Sequence, residues 1–134
     1  MARPKQESKM SLTDTEQLIM NELWKLNSAN VKDLLVPLEL ATGKNYAYTS
    51  ISTLIRLLEK KGFVRSEKQG RGHIYFPCVS KENHQLKTTN TFIEQVFDGK
   101  SNHLIRHLIS SDNLNKTELE ELKSWVDSQV VNND

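Results

Sequence analysis

Between Tyr48 and Val79 the hydrophobic period changes once, from helical to alternating, and the change falls at Gly62. In YTSISTLIRLLEKK, at ~100° per residue from Ile51, Leu54, Ile55 and Leu58 fall within about 60° of that reference. Thr49, Ser52, Thr53, Arg56 and Lys60 gather on the opposite side, with Ser50 and Leu57 on a flank. This predicts a helix from about Tyr48 to Lys61, with Gly62 as its left-handed cap. FVRSEK and HIYFPCV then read as strands. QGRG between them permits a hairpin, through Gly70 and Gly72, with Lys68 and Arg71 at its tip. A helix with one apolar stripe next to a two-stranded ribbon needs further helices to bury it.

The preceding chain supplies them. SLTDTEQLIMNELWKL opens on a capping pair, Thr13 and Glu16, and sets Ile19, Leu23 and Leu26 on one face, widened by Leu18 and Met20. SANVKDLLVPL predicts a second, shorter helix, capped by Ser28 or Asn27 and ended or kinked by Pro37. ATGKNYA is the connection, broken at Gly43. Helix, helix, helix, strand, strand is the winged helix-turn-helix order.

After Val79 the strand signals stop. SKENHQLKTTNTFIEQVF, SNHLIRHLI and NKTELEELKSWVDSQVV predict three helices, the first ended by Gly99 and the last opened by the capping pair Asn115 and Glu118. Three short amphipathic helices bury little among themselves, and a second copy of the chain would give them a common core. The expected fold is mainly α: a loose basic tail over 1–10, a winged-helix DNA-binding domain over 11–79, and a helical dimerisation domain over 80–134. Dimerisation is assigned to Phe92, Val96, Leu104, Leu108, Leu119, Leu122 and Val126.

The formal net charge of +1 hides an asymmetry: residues 1–80 hold 12 Lys+Arg against 8 Asp+Glu, and residues 81–134 hold 6 against 9. A basic half joined to an acidic half suits a polyanion at one end. The face of the third helix suits a DNA major groove. Small hydroxyls allow close approach and can donate or accept, Thr53 adds a methyl for a thymine, and Arg56 can make a bidentate contact with guanine. The candidate DNA-binding residues are Lys44, Tyr46, Thr49, Ser50, Ser52, Thr53, Arg56, Lys60, Lys68 and Arg71, with Lys61 as a further phosphate partner. Tyr48 shares with Tyr46 the alternatives of reaching the DNA or packing the turn. No apolar run reaches the ~20 residues of a membrane span, and the expected location is the cytoplasm, with no direct membrane association.

LTDTEQLIMNELWKL, NYAYTSISTLIRLLEKKGFV and GRGHIYFPCVSKE, in this order and spacing, resemble the penicillinase-repressor family (the BlaI, MecI and CopY repressors). So does the tail, with VFDG, a short helix and LNKTELEELKSWVDSQ. The resemblance covers about residues 11–130. It implies a bacterial homodimeric repressor whose winged helix binds an inverted-repeat operator with TACA/TGTA-type half-sites, of a β-lactam or related stress-response operon. It also implies relief through the C-terminal domain, with a membrane-bound sensor metalloprotease as partner. The family's recognition-helix contacts fall on Thr49, Ser50, Ser52, Thr53 and Arg56. Thr49, Ser52 and Leu57 stand where the methicillin-resistance repressor carries basic residues, which implies a different operator. The cleavage site of antibiotic-responsive members, an Asn-Phe bond, corresponds to His107-Leu108. The Cys-x-Cys tail of copper-responsive members is missing.

Two rival readings remain: a winged-helix module that binds a protein, and a family member that responds directly to a metal. A protein-binding face would show aromatic or aliphatic anchors on the third helix. His103 and His107, four apart, would make half of a zinc or copper site; they are read as polar residues on an outer helix face, with no metal and no cofactor assigned. Cys78 is expected as a small buried hydrophobe, His84 has no assigned partner, and Trp24 and Trp125 are expected to pack one half each. No nucleophile with its base and no phosphate loop is present, so no enzymatic activity is expected.

Overall fold

The computed structural model describes residues 11–132, and the tail expected over 1–10 lies outside them. Helix α1 spans Asp14–Leu26, α2 Val31–Thr42 and α3 Tyr48–Lys60; β1 Val64–Gln69 and β2 Gly72–Pro77 follow; then come α4 Lys81–Phe97, α5 Ser101–Ser110 and α6 Lys116–Asn132. The chain divides into two compact units between Thr88 and Thr89, so the first turns of α4 belong to the first unit.

The first unit is a winged helix-turn-helix. Thr13 starts α1 by accepting from the Glu16 amide at 3.2 Å, while the Glu16 carboxylate accepts from the Thr13 amide at 2.8 Å. Asn30, rather than Ser28 or Asn27, caps α2, and its side chain accepts from the Asp33 amide at 2.7 Å. Asn27 closes α1 at φ 70°, and the neighbouring Ala29 pairs with Tyr75 of β2 through two backbone bonds of 3.0 and 2.8 Å. That bridge ties the α1–α2 connection to the wing.

Pro37 does not end α2, which continues to Thr42 and closes at Gly43 with φ 73°. Proline removes a single backbone donor, and the fully buried Leu34 and Leu38 on either side hold the helix by packing instead. β1 and β2 pair antiparallel from Val64↔Pro77 to Gln69↔Gly72, turning through Gly70 at φ 60°. Ile19, Met20 and Leu23 of α1, Leu34 and Leu38 of α2, and Ile51, Ile55 and Leu58 of α3 are fully buried, and Phe63, Val64 and Tyr75 close the core.

Glu16 is also buried, and Lys61 meets it: Nζ lies 2.6 Å from Glu16 Oε1 and 3.2 Å from the Ser11 carbonyl. The phosphate role expected of Lys61 is thereby corrected, because its ammonium is engaged inside the domain. Burial pushes the Glu16 carboxyl up, but Lys61 and the Thr13 bonds outweigh it and hold the group below its ordinary 4.5. A carboxyl depressed in the folded state stabilises above that ordinary value and loses its contribution as pH falls. Lys61→Met should therefore destabilise by about 1–3 kcal/mol near pH 7. The gap should narrow as Glu16 becomes protonated in the variant. Urea unfolding at several pH values checks this, and a gap independent of pH would contradict the pairing.

Cys78 is exposed rather than buried. It lies one residue beyond the end of β2, outside the strand that buries Tyr75, and its amide donates to the Phe63 carbonyl at 2.8 Å.

In the second unit no residue of α5 or α6 is buried. Phe97 centres a small aromatic cluster, its ring 5.7 Å from that of Phe92 and 5.9 Å from that of His107. Asn115 caps α6, accepting from the Glu118 amide at 2.8 Å. Trp125, expected as a packing residue, is 61% exposed in the single chain. Trp24 does pack in the first unit, and its Nε1 donates to the Val79 carbonyl at 2.9 Å.

Candidate nucleic-acid interface

The face of α3 opposite Ile51, Ile55 and Leu58 carries Thr49, Thr53, Arg56 and Lys60, all exposed, with exposed Ser50 on its flank and Ser52 half-buried. The buried stripe anchors the helix, so the outer side chains are presented on a rigid element. At the start of α3 the N-cap is Ala47, which makes no side-chain cap. The first-turn amides are left open to solvent, where an anionic oxygen could bind them. The sequence already held this feature, since a helix starting at about Tyr48 puts Ala47, which has no polar side chain, at the capping position.

The hydroxyls are not equivalent. Thr53 Oγ1 donates to the Thr49 carbonyl at 2.9 Å. Its one proton is committed, so Thr53 offers outward a methyl and an acceptor. Lys44, Arg56, Lys60, Lys68 and Arg71 are exposed, and among the described residues none of them pairs with a carboxylate. Arg65 of β1 differs: its guanidinium sits 2.6 Å from Glu67 and 4.2 Å from the centre of the Phe76 ring. Ser66 of β1 donates to Glu59 of α3 at 2.8 Å, which links the wing to the last turn of that helix. The two tyrosines divide, Tyr46 half-buried against the core and Tyr48 exposed.

Of the residues expected at a dimer contact, Phe92, Val96, Leu108 and Val126 are exposed, while Leu104, Leu119 and Leu122 are half-buried in the single chain. His107 and Leu108 lie in the last turn of α5, where the Ser111 amide bonds the His107 carbonyl at 3.0 Å. His103 is exposed on the same helix. His84, left without a partner by the sequence, is buried among Gln17, Trp24 and Phe63. No sequence signal marks this, since the three partners lie far from it in the chain. No helix among the described residues is long and apolar enough to cross a membrane.

The family model described as "Penicillinase repressor" matches residues 12–128. The methicillin resistance regulatory protein MecI of Staphylococcus aureus (strain N315) is 27% identical over 113 residues, covering 84% of this chain and 90% of that protein. The penicillinase repressor of Bacillus licheniformis is 25% identical over 111 residues, covering 83% and 85%. The solution structure of the DNA-binding domain of the repressor BlaI is 26% identical and covers 55% of this chain and 87% of that chain, with a TM-score of 0.47. With the match running from the start of α1 almost to the end of α6, the chain belongs to the penicillinase repressor family.

Proposed function

We propose that this protein is a homodimeric, sequence-specific repressor that binds an inverted-repeat operator in double-stranded DNA. One observation carries the reading: the outer face of α3 presents Thr49, Thr53, Arg56 and Lys60 to solvent over a fully buried stripe, with Arg56 and Lys60 free of carboxylate partners among the described residues. Two such faces, related by the two-fold of a dimer, suit two half-sites about one helical turn apart. Lys44, Lys68 and Arg71 supply phosphate contacts, which position without reading sequence. The relatives' names, a methicillin resistance regulatory protein and a penicillinase repressor, support a regulatory role.

The second unit supports the dimer by what it leaves uncovered. Phe92, Val96, Trp125, Val126 and Val130 are large apolar side chains exposed in the single chain. Relief of repression acts through this unit, by proteolysis at or near His107-Leu108 or by another event that breaks the dimer. A membrane-bound sensor metalloprotease would supply the cleavage. A protease reads extended backbone, so the last turn of α5 has to open first. No catalytic role is proposed for this chain.

Fluorescence anisotropy on the protein's own upstream promoter and on scrambled DNA, over a salt series, tests the reading. The expected result is a preference for the promoter and an affinity that falls steeply with salt. Equal, weak binding to both would overturn it and favour a protein partner for α3. Arg56→Ala should reduce operator preference by roughly 1–3 kcal/mol. If operator and random DNA weaken equally, Arg56 contacts a phosphate instead of a base.

A further inference from the structure

Of the buried charged or titratable side chains, Glu16 and Glu22 have lysine partners, and His84 has no ion partner among the described residues. Its Nε2 lies 3.0 Å from Gln17 Oε1 and 3.4 Å from Thr88 Oγ1. Gln17 Nε2 donates to Asn21 Oδ1 at 2.9 Å, which leaves the Gln17 carbonyl facing the imidazole, an arrangement that suits the tautomer with its proton on Nε2. The ring packs 5.6 Å from that of Trp24 and edge-on at 5.5 Å to that of Phe63. Trp24 in turn holds the β2–α4 connection through the Val79 carbonyl. Three elements thus converge on one imidazole: α1, the α3–β1 joint and the connection into α4.

The charges on those elements are engaged elsewhere or exposed. On α1, Glu16 pairs with Lys61, Glu22 with Lys25, and Asp14 is exposed. At the joint, Lys61 pairs with Glu16 and Arg65 with Glu67. On α4, Lys81, Glu82 and Lys87 are exposed. Among the described residues, Nδ1 of His84 has no hydrogen-bond partner. A second proton would go to that nitrogen and place an uncompensated cation between two aromatic rings' packing surfaces and a neutral amide.

We propose that His84 is an acid-sensitive latch, which holds the first two turns of α4 on the winged helix while the imidazole is neutral and releases them when Nδ1 takes a proton. Burial lowers the His84 pKa from its ordinary 6.5. The latch is therefore complete above that ordinary value and weakens as pH falls below it. The inference goes beyond DNA binding and does not depend on it. α4 runs without a break past Thr88 into the second unit, so what the latch holds is the root of the helix shared by both units.

Amide hydrogen exchange on the full chain, from about pH 8 to about pH 5 and corrected for intrinsic exchange, tests this. Protection over residues 81–88 should fall about tenfold or more, while α1 and α3 keep theirs. His84→Gln, which cannot be charged and retains an amide near Gln17, should show no such loss. The proposal is overturned by constant protection over 81–88 in the wild type, by an equal loss in α1 and α3, or by the same local loss in His84→Gln. Should that variant fail to fold, an NMR titration of the wild-type imidazole decides: His84 titrating together with the opening of 81–88 supports the latch, and titration apart from it overturns it.

Discussion

Val126→Asp should turn the proposed dimer into monomers and lower operator affinity by about 10²–10⁴-fold, the factor that linkage of two half-site contacts contributes. Val126 lies on α6 and is 43% exposed in the single chain, so an aspartate there can stay solvated while the monomer keeps its fold. Between two copies the same carboxylate would be buried without a partner, which costs several kcal/mol. Leu122→Asp is a poorer probe, because Leu122 is already half-buried in the single chain and its loss mixes unfolding with dissociation. Sedimentation and anisotropy on the same samples separate the cases. A Val126→Asp protein that remains dimeric would move the interface to another part of the exposed apolar surface, such as Phe92 and Val96.

The helices were legible because their ends carry local chemistry. Thr13 with Glu16 and Asn115 with Glu118 are capping pairs that the structure makes as reciprocal hydrogen bonds. Gly43, Gly62 and Gly99 stand at positive φ where the sequence period breaks. The departures arise where a distant residue decides. Asn30, itself extended, caps α2 next to Ala29, which Tyr75 of the wing pairs through two backbone bonds. Pro37 is tolerated because Leu34 and Leu38 pack against other helices. Neither partner is visible within a window of local sequence.

The candidate DNA face shows the same division. The helical period alone separates Thr49, Thr53, Arg56 and Lys60 from Ile51, Ile55 and Leu58, and the structure exposes the first set and buries the second. What periodicity cannot supply is which polar group is already satisfied. Lys61 looks like its neighbour Lys60 in sequence, yet it reaches Glu16, 45 residues earlier in the chain. Thr53 looks like Thr49, yet its hydroxyl proton is given to the helix backbone. His84 had no readable role, because Gln17, Trp24 and Phe63 meet it only in three dimensions.

Ile55→Ala should cost about 2–5 kcal/mol, since it empties a fully buried site on α3. For a domain of this size that is a large share of a total stability of about 5–15 kcal/mol, and melting should fall by about 10–30 °C. Arg56, the next residue, projects into solvent, so its truncation should leave the melting temperature almost unchanged while it reduces operator preference. The two neighbours therefore separate the buried side of one helix from its proposed DNA-binding side. Folded Ile55→Ala protein, measured below its transition, should still prefer operator over scrambled DNA, because the outer side chains are intact. Thermal melts followed by circular dichroism, with anisotropy at low temperature, check both halves. An Ile55→Ala protein that melts within a few degrees of wild type would mean that α3 is not anchored by this core. The rigid presentation of Thr49, Thr53 and Arg56, on which the DNA reading depends, would then lose its physical basis.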